Sequence, residues 1–279
     1  MADELQNQQQ VPLHVNALPG FQAKGTVKTA PYTEYTGTPR TSSWWLKSCA
    51  FVVHLYTASG AVLAFLIVLA AIRGNIVEAL GLGLVALLID STDGWMARRL
   101  QVSKTLPWFD GRRLDDIVDY LTYVFAPLLL LWTGGYLPAG TGGLILMGIP
   151  LLASCYQFCR VDAKTDDDCF LGFPSYWNVV AFYTIVFKLA PTTVGTILLI
   201  CSLLAFVPIR YVYPSRTKIF RSLTLALTAL WLLMYVAILW QMPRPNILLL
   251  YCSLFYPCYY VGLSLYLTYK AYSIQHKQT

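Results

Sequence analysis

Four aspartates stand where the surrounding chain is apolar. Asp90, Asp93, Asp115 and Asp119 lie between two long hydrophobic runs, and an ionisable group at membrane depth is costly enough to imply a function. Their spacing is helical. Asp90 and Asp93 share one helix face, and Gly111, Asp115 and Asp119 recur at every fourth position along another. Asp116 lies about 100° off that second stripe. Two such helices side by side would aim four carboxylates at one spot. Like charges in a poorly hydrated space repel, and a divalent cation removes the conflict. An all-oxygen donor set selects Mg²⁺, Mn²⁺ or Ca²⁺ over zinc. Gly94, Ala97 and Gly111 leave the facing surface nearly bare, so a ligand could lie close to the backbone.

The full pattern is Asp90-x-x-Asp93-Gly94-x-x-Ala97-Arg98, a connector, then Gly111-x-x-x-Asp115-x-x-x-Asp119. It resembles the CDP-alcohol phosphotransferase family, whose motif has every one of these positions. The connector, residues 99–110, is longer than in the general pattern. With Leu106-Pro107 in that connector, and with the stretch from Gly172 to Tyr183, the chain is similar to bacterial phosphatidylcholine synthases.

The resemblance implies a set of roles. Asp90, Asp93, Asp115 and Asp119 would hold one or two Mg²⁺ or Mn²⁺ ions. Gly94, Ala97 and Gly111 would make room for cytidine diphosphate, with Thr57 facing the nucleotide. Arg98 would contact the nucleotide phosphates or a neighbouring carboxylate. Asp119 would take the proton of the acceptor hydroxyl. The implied donor is CDP-diacylglycerol and the expected acceptor is choline; serine, glycerol 3-phosphate or an inositol would be alternatives within the same chemistry. His54 stands where the family often has asparagine, and it reads as a hydrogen-bonded interface residue rather than a ligand.

Choline carries a quaternary ammonium that cannot donate a hydrogen bond and is drawn to aromatic faces. Tyr120, Tyr123, Tyr176 and Trp177 are the candidates near the motif, although belts of Tyr and Trp also form at membrane interfaces without a ligand. Arg210, set directly against an apolar run, is a candidate for a lipid or nucleotide phosphate.

Composition sets the class of protein around these residues. Apolar residues make up 57% and charged residues 12% of the chain, which argues for a membrane protein. The net charge of +6 is read as lysine and arginine beside anionic headgroups, not as a nucleic-acid footprint. The seven cysteines lie mostly in apolar runs with no C-x-x-C, so they read as small hydrophobes and not as a disulfide framework or zinc site. A cation-coupled transporter would call for paired polar sites in two internal repeats, and the aspartate motif is not repeated in the second half.

The elements that must hold the motif form an all-α, polytopic bundle of about eight transmembrane helices. They are expected near 49–72, 76–89 running on into the motif, 114–132 with a kink at Pro127, 142–158, 174–189, 193–209, 223–240 and 247–269. The break Lys188-Leu-Ala-Pro191 separates the fifth from the sixth. Residues 1–40, rich in Gln, Thr and Pro, read as a disordered cytoplasmic tail with no signal peptide. Residues 41–279 read as the transmembrane phosphotransferase domain, opened by an interfacial anchor at Trp44, Trp45 and Lys47. The acidic run Asp166-Asp167-Asp168 reads as a solvated loop. With both termini cytoplasmic, only Arg73, Lys188 and Arg244 of the 20 lysines and arginines fall outside. The expectation is therefore a bacterial inner-membrane protein whose active site faces the cytoplasm. Its expected partners are CDP-diacylglycerol, choline and membrane lipids, with a homodimer as a candidate assembly and no nucleic acid.

Overall fold

A computed structural model describes residues 43–165 and 168–275, all within one compact unit that begins at Ser42. The expected tail, and Asp166 and Asp167 of the acidic run, lie outside the described residues.

Helix α1 (Trp44–Ile72) is followed by α2 (Ile76–Arg99), and the two are joined by a tight turn in which Gly74 takes φ +74°. The long connector is not a plain loop. It folds into a single helical turn, α3 (Val102–Thr105), and buries Val102 and Leu106 with Phe109 against Ala50 and Val53 of α1. Helix α4 (Gly111–Asp119) then starts sharply, because the Asp110 carboxylate accepts from the backbone N–H groups of Arg112 and Arg113 at 3.1 and 3.2 Å.

The helix continues through a π turn at Tyr120–Phe125 into α5 (Ala126–Thr133). The kink expected at Pro127 takes this form. Proline has no N–H for the carbonyl four residues back, and a wider turn just before it absorbs the mismatch.

The second half contains α6 (Thr141–Cys159), α7 (Trp177–Val186), α8 (Pro191–Leu204), α9 (Arg221–Trp240), α10 (Ile247–Ser253) and α11 (Phe255–Gln275). The break between α7 and α8 falls where it was expected, with Lys188 at φ +51° and Pro191 opening α8.

The chain is a mostly helical integral membrane protein. Among the described residues, four helical stretches are long and apolar enough to cross a membrane: Trp44–Ile72, Thr141–Cys159, Arg221–Trp240 and Ile247–Ser273. Helix α2 and the α4–α5 unit fall at the expected second and third positions but carry the motif's charges. Helices α7 and α8 have only 10 and 14 residues. At 1.5 Å per residue that is roughly 15 and 21 Å, short of a hydrocarbon core of about 30 Å.

One element was not expected in an all-α chain. Strands β1 (Cys169–Leu171) and β2 (Arg210–Val212) pair antiparallel, with Phe170 opposite Tyr211. A two-stranded ribbon leaves backbone groups on its outer edge that need partners. Helix α11 supplies them. Thr268 accepts from the Arg210 N–H at 2.8 Å, Ser264 accepts from the Val212 N–H at 3.2 Å, and the Tyr260 hydroxyl donates to the Val212 carbonyl at 3.0 Å. The ribbon is thus fastened to the C-terminal helix.

The main core lies around α5 and α7, both of which are largely apolar. Leu128, Leu131, Phe182 and Ile185 are buried there, and Phe182 stacks on Tyr235 of α9 with centroids 3.8 Å apart. This core fixes the far end of the helix that carries Asp115 and Asp119.

Candidate active site

Three of the four aspartates converge. Asp90 from α2 and Asp115 and Asp119 from α4 each place a carboxylate oxygen within 4.8 Å of the others. The helical spacing accounts for this. Asp115 and Asp119 are one turn apart on α4, and α1 packs against both motif helices. The approach of α1 to α4 is close: a Cβ on Gly60 would lie 2.5 Å from Val118 Cγ1.

Asp93 stands beside the cluster but outside the 4.8 Å group. It is buried, and its Oδ2 accepts a 2.7 Å hydrogen bond from Thr57 Oγ1. Thr57 therefore holds an aspartate in place. Tyr123 does the same for Asp90, donating to its Oδ2 at 2.5 Å. A ring of oxygen donors with hydrogen-bonded supports is the arrangement a hard divalent cation requires, so these residues fit such an ion.

The bare surface expected for a nucleotide is only partly bare. The His54 imidazole lies over Gly111, where an added Cβ would meet His54 Cε1 at 2.5 Å. His54 is 7% exposed, and its ring packs on Phe109 with centroids 4.3 Å apart. Its Nε2 has no hydrogen-bond partner among the described residues, so the hydrogen bond expected of it is absent at that atom. The glycine at position 111 thus makes room for a side chain of its own protein. Ala97 packs with the connector cluster. The Arg98 guanidinium folds back over Gly94, with Nη1 3.2 Å from where a Cβ would stand.

The aromatic candidates divide. Tyr123 and Tyr176 form an edge-to-face pair with centroids 6.2 Å apart, next to Asp90. Tyr120 points its hydroxyl at the Leu151 carbonyl and packs on Phe158. Trp177 is 1% exposed, with its indole N–H donated to Ser154 Oγ at 2.7 Å. Those two side chains belong to the packing between α6 and its neighbours. Arg210 sits on β2 with its backbone bonded to Thr268.

Residues outside the motif join the site. The charge of Lys164, in the loop before β1, acts on Asp90, Asp115, Asp116 and Asp119. Its ammonium lies 6.0 Å from the centre of the Phe170 ring, which stacks on Tyr213. The hint in the sequence is a lysine embedded in an acidic run. In the same loop Arg160 grips Asp162 through two 2.7 Å hydrogen bonds. That grip holds the Asp162 carboxyl below the usual carboxylate range.

No protein-family model matches the chain. Curated proteins do. The chain is 37% identical over 223 residues to a phosphatidylcholine synthase of Borreliella burgdorferi, an alignment that covers 79% of this chain and 95% of that one. It is 38% identical over 222 residues to a phosphatidylcholine synthase of Pseudomonas aeruginosa, covering 79% and 92%. It is 38% identical over 227 residues to one of Legionella pneumophila, covering 79% and 89%.

The chain belongs to the phosphatidylcholine synthase family. Membership makes it an enzyme of phospholipid synthesis. The three converging carboxylates could hold a metal ion. Phosphoryl transfer needs concentrated electrostatic stabilisation and positioning, with little covalent work by the protein.

Proposed function

We propose that this chain transfers the phosphatidyl group of CDP-diacylglycerol to choline, giving phosphatidylcholine and CMP. The observation that carries the reading is the convergence of Asp90, Asp115 and Asp119 in a chain that spans 95% of a phosphatidylcholine synthase. Asp90, Asp115 and Asp119, with Asp93 beside them, would hold the metal, Mg²⁺ or Mn²⁺. Such an ion neutralises charge on the diphosphate and the departing nucleotide.

The chain's own residues do the rest. Asp119 takes the proton from the choline hydroxyl. The choline oxygen bonds to the phosphorus that carries diacylglycerol, and the bond from that phosphorus to the CMP oxygen breaks. Thr57, Gly94, Ala97, Arg98 and Gly111 line the nucleotide side. Gly111 does so indirectly, by seating His54. Arg98 and Lys164 are cations that act on the aspartates and would meet phosphate groups there, with Arg210 a further candidate. Tyr123 and Tyr176 stand on the acceptor side.

The membrane placement follows the charge pattern. Arg73, Lys188 and Arg244 fall in the turns after α1, α7 and α9, and the connector after α2 and the loops after α6 and α8 carry the others among the described loops. That asymmetry supports eight crossings with the aspartates at the cytoplasmic face of the bacterial inner membrane. Residues 41–279 then form the catalytic domain.

The direct test is purified protein in nanodiscs with CDP-diacylglycerol, a divalent cation and a panel of alcohols. Phosphatidylcholine from choline is the expected product. Transfer only to serine, glycerol 3-phosphate or an inositol would overturn the acceptor.

A further inference from the structure

A line of phenol rings leads away from the aspartates. Tyr123, bonded to Asp90, meets Tyr176 at 6.2 Å. Tyr176 meets Tyr260 of α11 at 6.1 Å and an angle of 58°, and Tyr260 meets Tyr256 at 6.5 Å and 46°. These rings come from three separated parts of the chain: the π turn, the turn into α7, and the C-terminal helix. The rings of this line are tilted or edge-on to one another, with Tyr211 nearly parallel to Tyr260 at 26° and Trp231 at 31° to Tyr256. Tyr176, Tyr256 and Tyr260 also keep part of their surface accessible.

The carboxylates lie at one end of this line of rings. The charged groups that act on Tyr176 are Asp90 and Asp119. The cations that reach the aspartates are Lys164, Arg98 and Arg112, and these come from the loop before β1 and from the ends of α2 and α4. Tyr176, within reach of Asp90 and Asp119, presents a phenol face that attracts a cation with no hydrogen to donate. Aromatic faces offer no such attraction to the carboxylate of serine or the phosphate of glycerol 3-phosphate.

We infer that Tyr176, Tyr256 and Tyr260 form the subsite for the quaternary ammonium of the acceptor, with α11 supplying two of its three rings. The inference rests on the acceptor being choline. The subsite explains why the ribbon is tied to α11. The bond from the Tyr260 hydroxyl to Val212 fixes the ring's orientation, with the Tyr211 ring nearly parallel to it at 6.2 Å and 26°.

The experiment uses the full chain in nanodiscs with choline, CDP-diacylglycerol and tetramethylammonium, which mimics the ammonium end alone. Tyr260→Leu and Tyr256→Leu should each raise the KM for choline about tenfold and weaken competitive inhibition by tetramethylammonium by a similar factor. The KM for CDP-diacylglycerol should stay within about twofold. Tyr260→Phe keeps the ring face and should retain tetramethylammonium inhibition. Should Tyr260→Leu not fold, Tyr176→Leu carries the same expectation. Unchanged choline KM and inhibition in the leucine variants would overturn the subsite, and so would an equal rise in the KM of both substrates. Failure of the unmutated enzyme to use choline at all would instead overturn the reading of the acceptor.

Discussion

The phenol of Tyr123 donates a 2.5 Å hydrogen bond to Oδ2 of Asp90, joining the π turn to the second helix. Tyr123 lies one ordinary helical turn beyond Asp119, and the π turn sets the angle at which it reaches across. Its task is to orient a carboxylate. Removing such a support typically lowers metal affinity or activity about ten- to a hundredfold. Tyr123→Phe should therefore reduce kcat and raise the divalent-ion concentration needed for half-maximal rate, with little change in the KM for choline. A metal titration of the pure variant decides this.

The converging carboxylates make a sharper prediction. Asp90→Asn, Asp115→Asn and Asp119→Asn should each abolish turnover, and a chelator should do so reversibly. Asp116→Asn should be mild, since Asp116 lies off the stripe and outside the group that converges. Near-normal turnover in Asp115→Asn would show that the cluster is not the metal site.

Gly111 and His54 should behave as a pair. Gly111→Ala places a methyl 2.5 Å from His54 Cε1, and overpacking of this kind costs about 1–3 kcal/mol. Loss of thermal stability and activity is expected. The double variant Gly111→Ala, His54→Ala should recover much of the stability, because the two residues share one contact. Additive losses in thermal melts would mean that Gly111 serves the nucleotide directly.

The grip of Arg160 on Asp162 predicts a pH dependence. A carboxyl whose folded-state pKa is depressed contributes stability that is present above its unfolded value and lost as pH falls through the folded one. Asp162→Asn should lower the melting temperature slightly at neutral pH, and the difference from the unmutated chain should vanish in acid below the ordinary carboxylate range. The effect is small because the Asp162 side chain is 61% exposed.

Orientation can be read by labelling. In a cysteine-free background, Gly140→Cys should react with an impermeant reagent from outside. Ser273→Cys should react only from the cytoplasmic side. Outside labelling at position 273 would reveal a miscounted crossing, with the short pair α7 and α8 as its source.

Much of this was readable in the sequence, for particular reasons. The aspartate spacing maps directly onto helix faces, so the convergence of Asp115 and Asp119 followed from periodicity alone. The positions of the helices followed from the apolar runs. Contacts across helices did not follow. No periodic signal says that His54 will cover Gly111 or that Thr57 will bond to Asp93. Trp177 looked like a ligand-facing aromatic, yet its indole is needed by Ser154 in the interior. The ribbon pairs two three-residue strands far apart in the chain, too short for any alternating pattern to register. Tyr260 was hidden for the same reason, in a helix whose many tyrosines look alike until the ribbon selects it.

The helix carrying Asp90 and Asp93 is not among the stretches apolar enough to cross a membrane by composition, and this bears on how the protein is made. Left alone at the insertion machinery, α2 would partition poorly. Helix α1 emerges first, is strongly apolar, and offers Thr57 to the buried Asp93 and the Tyr56 hydroxyl to Thr92 at 2.9 Å. The two helices therefore form a hairpin that can leave the translocation channel as one unit, with α1 shielding the polar face of its partner from lipid. A chain that loses that shield should fail before catalysis is ever at issue, as a degraded nascent product.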